Sequence, residues 1–93
     1  MQQITEAIRK YLLAVVCPLI KQPDKAQLRV VVNEEEQLLR FRLVLESGDI
    51  ARIIGRNGMT ASAIRSLAKS AGERAGVKVI VHILSRDELE QES

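Results

Sequence analysis

Residues 28–33 and 39–46 each alternate apolar with mostly polar side chains, and only a short polar stretch separates the two runs. Patterning of period two suits strands that bury one face, and a connection as short as Asn33–Gln37 suits antiparallel neighbours. Leu28, Val30 and Val32 share one side of the first run; Leu39, Phe41, Leu43 and Leu45 share one side of the second. The three glutamates between the runs read as a solvated hairpin tip.

Helical patterns flank this pair. Ile4, Ile8, Tyr11, Leu12 and Val15 form an amphipathic stripe, predicting a helix over about residues 4–17 that Pro18 ends; Pro23 and Asp24 then mark a loop. After the hairpin, Ser47, Gly48 and Asp49 supply N-cap chemistry for a short helix, Ile50 to Ile54, stopped by Gly55. Ile64, Leu67, Ala68, Ala71 and Ala75 step at helical spacing in the next segment, with Gly72 or Gly76 as the left-handed terminator. Val77 to Leu84 reads as a last strand with Val77, Val79, Val81 and Ile83 inward and Lys78, Ile80, His82 and Leu84 outward. A strand, two helices and a strand form a crossover long enough to return the chain in parallel. The expected fold is therefore α+β, α-β-β-α-α-β, with a three-stranded mixed sheet and the helices packed on one face.

At 93 residues the chain is expected to be one domain, and 46% hydrophobic with 28% charged residues supports a real core. The apolar stretch Tyr11–Cys17 is far shorter than the roughly 18–20 residues that cross a bilayer. Glu6, Arg9 and Lys10 interrupt any signal-peptide core, so a cytoplasmic location is expected. Cys17 is alone and His82 is the sole histidine, which excludes an internal disulfide and a Cys/His zinc site; no metal and no cofactor are expected. Residues 48–84 carry six basic and two acidic side chains, a local footprint for polyanions. The acidic end, residues 85–93, has no core periodicity and reads as a frayed or solvated tail.

The junction of the two middle helices reads Ile53-Ile54-Gly55-Arg56-Asn57-Gly58. Glycines let a sugar-phosphate backbone approach the main chain closely, and the amides that open the second helix present positive character to the same spot. Arg56 adds a full charge, and Asn57 adds a neutral donor and tolerates left-handed geometry. By itself the motif reads equally as a tight turn whose glycines only accommodate the bend.

With Ile64 and Leu67 downstream and the element order above, these residues resemble the K-homology (KH) domain in its type II arrangement, a module whose GXXG loop clamps four nucleotides by their backbone. Over about residues 4–84 the chain is similar to small bacterial single-KH proteins of the KhpA type, most specifically from Ser47 to Leu67. The KH core would run over about residues 27–84. The resemblance implies that single-stranded RNA lies across the turn, with Gly55, Arg56, Asn57 and Gly58 on phosphates. It further implies Ile50, Ile53 and Ile54 as candidates for an aliphatic base groove, Arg52 and Arg65 as phosphate partners, and Met59 beside the clamp. Two positions depart from the family pattern: Met59 replaces an often basic residue, which removes a charge from the clamp, and Ala61 replaces a larger aliphatic, which would widen the groove. The family also implies a homodimer, or a heterodimer with a larger KH-bearing RNA-binding partner, and roles in post-transcriptional control and cell elongation or division.

Three other readings compete. Catalysis lacks a base patterned beside Cys17 or a serine, and no phosphate-binding G-x-x-x-x-G-K-[ST] is present. A DNA-binding helix-turn-helix would share the glycine-bearing turn, yet Met59, Thr60, Ala61, Ser62 and Ala63 are poor base readers. An interaction module, with the helices binding protein and RNA binding weak, is the main alternative.

Overall fold

The computed structural model describes residues 1–92; Ser93, the last residue of the expected tail, lies outside them. Helix α1 (Gln2–Val16) buries Ile8, Leu12 and Val16. It ends one residue earlier than expected, where Cys17 caps it and Cys17–Leu19 tighten into a 3-10 turn around Pro18. Ile20 then turns inward and is buried.

Strands β1 (Gln27–Asn33) and β2 (Leu38–Leu45) pair antiparallel with Val30 opposite Phe41. Helices α2 (Ser47–Ile54) and α3 (Met59–Arg74) carry the chain to β3 (Lys78–Ser85), which pairs parallel to β2 with Phe41 opposite Val81. The order β1-β2-β3 makes β2 the central strand and leaves β3 as a free edge. Leu39, Phe41, Leu43 and Leu45 lie fully buried and join Ile8, Leu12 and Val16 of α1, Ile53 of α2, Ile64 and Ala68 of α3, and Val79 and Val81 of β3 in one core. The α-β-β-α-α-β order and the mixed sheet are those of a type II KH-like fold.

Several local expectations are corrected. Helix α2 starts at Ser47, not Ile50, with Glu46 at the cap position and no side-chain cap. Asp49 is buried and accepts hydrogen bonds from the backbone N–H groups of Lys21 (2.9 Å) and Gln22 (3.0 Å), so it ties the loop after α1 to α2 instead of capping its own helix. Of the two terminator candidates, Gly76 adopts φ +75. Gly72 lies inside α3 and presses on β3, where a Cβ would fall on Val79 Cγ2 and 2.8 Å from the Val77 carbonyl oxygen. Leu67 and Ala75, expected on the apolar stripe of this helix, are exposed.

The acidic end is solvated but helical. Helix α4 (Arg86–Glu92) opens with a capping box: the Glu88 N–H donates to Ser85 Oγ (3.1 Å), and the Ser85 N–H donates to Glu88 Oε1 (3.3 Å). Asp87 and Glu88 in its first turn favour the helix dipole. Ser47 Oγ donates to Asp87 Oδ2 (2.8 Å), and Arg86 donates to the Lys25 carbonyl (3.2 Å). The helix packs against β2 and β3. Val44 and Leu84, register partners on the face away from the core, are buried, which corrects the outward exposure expected of Leu84.

The two helical glycines outside the middle turn make opposite predictions. Gly72→Ala should destabilise the fold by about 1–3 kcal/mol through overpacking against β3, despite its better helix propensity. Gly48→Ala, where nothing lies within 4 Å of a new Cβ, should stabilise it by about 0.5 kcal/mol. Urea denaturation of both variants measures the contrast, and equal effects would contradict the packing assigned to Gly72.

Candidate functional site

The turn between α2 and α3 is built from backbone geometry that side chains resist. Gly55 has φ 70 and ψ −171, a region essentially open to glycine alone, and its N–H donates to the Ala51 carbonyl (3.1 Å) to close α2. A Cβ there would also fall on Thr60 Oγ1 and 2.9 Å from Thr60 Cβ. Asn57 (φ 58, ψ 24) and Gly58 (φ 74, ψ 11) are both left-handed, so Asn57 takes up the geometry its side chain tolerates.

Arg56 and Asn57 are exposed on this turn, and a Cβ on Gly58 would meet nothing within 4 Å. The N–H groups of Gly58 and Met59 are engaged within the turn, on the Gly55 and Arg56 carbonyls. The N-cap residue Gly58 makes no side-chain cap hydrogen bond, and the positive end of the dipole of a 16-residue helix falls beside it. The arrangement is an open, basic, donor-rich corner.

Gly58, Ser62, Arg65, Lys69 and Glu73 recur at helical spacing, so one face of α3 runs from the turn along the molecule. Arg65, Ser66, Lys69 and Glu73 form one wall of a cleft of about 670 Å³ whose other wall is Leu38 of β2 and Lys78, Val79, Ile80 and Val81 of β3. Because β3 is an edge strand, its outer row of backbone N–H and C=O groups has no strand partner and faces this side of the sheet. The sequence motif points to Arg65 but not to Lys69 or the cleft. The available signal was the i, i+4 step from Arg65 to Lys69; the facing strand residues are remote in sequence.

The remaining candidates divide. Ile53 is wholly buried in the core, while Ile50 is half-buried against it and keeps part of its side chain accessible. Ile54, 41% exposed, is the accessible member of the three. Arg52 is exposed on α2 with its guanidinium 3.8 Å from Asp49, one turn from the glycines. Ala61 is buried beneath the start of α3, so its small size sets helix packing and does not widen an open groove. Met59, 69% exposed directly after Gly58, also lines a second surface. With Tyr11 and Val15 of α1 and Ala63 and Leu67 of α3 it lines a shallow apolar depression on the other flank of α3, where Leu67 is 59% exposed.

Tyr11 joins that flank to the core. Its hydroxyl donates to the Ile64 carbonyl (3.4 Å), and burial raises its pKa above the ordinary 10.0 because the phenolate would lose solvation. The folded state therefore holds this proton after the unfolded chain has released it, so stability should fall as pH rises above about 10. Tyr11→Phe should flatten that part of the slope; an unchanged pH dependence of thermal unfolding would show that the hydroxyl does not carry it.

Residues 9–83 match the family model described as KhpA/KhpB, KH domain. An RNA-binding protein KhpA of Streptococcus pneumoniae is 35% identical over 77 residues, covering 82% of this chain and 95% of the relative. One from Bacillus subtilis is 37% identical, over 70% of this chain and 78% of its own. One from Clostridium acetobutylicum is 31% identical over 90% of this chain and its own full length.

Proposed function

The chain belongs to the KhpA/KhpB family of KH domains, and on that footing we propose that it binds single-stranded RNA through the turn Gly55–Gly58 and the cleft beside it. The observation that carries this reading is the open, positive-φ turn at the uncapped start of α3, leading directly onto a cleft with Arg65, Lys69 and Lys78 on its walls. Phosphates approach Gly58 where no side chain intervenes, held by helix-start amides, Arg56 and Asn57. Arg65 and Lys69 carry the backbone along α3, while bases enter between α3 and the free edge of β3, meeting aliphatic side chains and unpaired main-chain groups. Arg52 and Ile54 flank the turn from α2. The relatives' names as RNA-binding proteins support the same reading, and they describe binding without a reaction. Acting on transcripts, the chain would serve post-transcriptional regulation in the cytoplasm; no helix among the described residues is long and apolar enough to cross a membrane.

Converting Arg56 and Asn57 together to aspartate should leave the fold intact, since both are exposed, and abolish binding to a single-stranded RNA pool by setting two negative charges against phosphate. Parental binding should weaken with salt at a slope of about 0.7 per phosphate neutralised. A double variant that bound as tightly as the parent at moderate salt would overturn the clamp, and a preference for duplex DNA would favour a helix-turn-helix role.

The depression lined by Tyr11, Met59 and Leu67 favours a second property, pairing with another copy of the chain or with a larger KH-bearing protein. Exposed Met59 and Leu67 beside a half-buried Tyr11 make an apolar flank that a partner would remove from water. Leu67→Glu should shift the chain toward monomer in sedimentation equilibrium at concentrations where the parent pairs. A parent that remains monomeric up to high concentration and captures no KH-bearing partner would refute the pairing.

A further inference from the structure

The face of the sheet turned away from α1, α2 and α3 carries basic side chains in register. Arg29, Arg42 and His82 are successive partners across β1, β2 and β3; the next row is Val31, Arg40 and Ile80, and Lys78 stands one row further on. Arg29, Arg40, Lys78 and His82 are exposed, and between them lie two uncovered aliphatics, Val31 (54% exposed) and Ile80 (37%). Arg42 is already engaged within the chain, as is Glu90 of α4. Glu36, at the hairpin turn, shares a depression with Arg40 and Val31.

Arg29 donates to Gln27 Oε1 (3.3 Å), a neutral partner, and stays exposed, so its charge is available to a polyanion laid across the face. Lys78 and Ile80 also line the α3–β3 cleft, so the open face and the cleft meet along the free edge of β3. Strands about 4.8 Å apart bring Arg40 and Arg29 within a few side-chain lengths of that edge.

We propose that the open sheet face is a second contact surface for the same RNA strand, which leaves the cleft past Lys78, crosses the β3 edge and runs over Ile80 and Arg40 to Val31 and Arg29. Phosphates pair with the cations, and the exposed aliphatics take base faces. The proposal rests on the RNA-binding reading and lengthens its footprint.

Titration of an RNA of about four nucleotides, the length a GXXG clamp holds, against one three times longer tests it. The variants are Arg29→Glu with Arg40→Glu and, as a milder pair, Arg29→Gln with Arg40→Gln; unchanged circular dichroism shows that each is folded. The parent should bind the longer RNA at least about tenfold tighter than either variant, with a salt slope steeper by about 1.4 for two lost phosphate contacts, while all three bind the short RNA alike. Variants that match the parent in affinity and slope on the longer RNA would overturn the extended path and leave the clamp standing. A parent that binds neither RNA would remove the RNA-binding reading itself, and this proposal with it.

Discussion

Parallel pairing of β2 with β3 is the constraint on which the rest of the molecule depends. Two parallel neighbours cannot be joined by a tight turn, so the chain between Leu45 and Lys78 must cross the sheet and come back. It does so as two helices, and the place where they meet must reverse direction within four residues. The turn at Gly55–Gly58 is thus first of all a topological consequence, whatever it binds. Its location at the start of a 16-residue helix places the positive end of the helix dipole there.

The same pairing explains why one side of the site is a strand edge. With β2 in the centre, β1 and β3 both have free edges, and α3 packs over the β3 side. A cleft between a helix wall and the outer edge of a sheet combines charge from Arg65, Lys69 and Lys78 with main-chain donors and acceptors of β3. Scarce aromatics, Tyr11 and Phe41, leave such a cleft with aliphatic side chains and hydrogen-bonding groups instead of stacking platforms. The other flank of α3, with Met59 and Leu67, is apolar and uncharged, so one helix separates a polar face suited to nucleic acid from an apolar face suited to protein.

Buried polar groups locate the joints of this small fold. Asp49 binds two backbone amides of the loop after α1 and so fastens the N-terminal helix to the crossover. Ser85 and Glu88 cap each other at the start of α4, which lies against β2 and β3. Each joint satisfies main-chain donors that would otherwise be left without partners, a requirement that tightens as surface is removed from water.

Period-two and helical spacing sufficed to read the order of elements, the faces of β2, the terminating role of Pro18 and the motif Gly55–Gly58, because these depend on neighbours within a few residues. The Ser85-Arg86-Asp87-Glu88 capping box is equally local and marks the start of α4 in the sequence, although the acidic charge of that end points to a solvated tail. Tertiary structure alone decided which of Ile50, Ile53 and Ile54 stays accessible, which glycine packs and which turns, and that Asp49 serves a distant loop. It also decided that Lys69 faces Lys78 across a cleft and that Arg29 lies in one row with Arg42 and His82. Those outcomes join residues tens of positions apart, and local spacing carries no information about which remote surfaces the fold brings together.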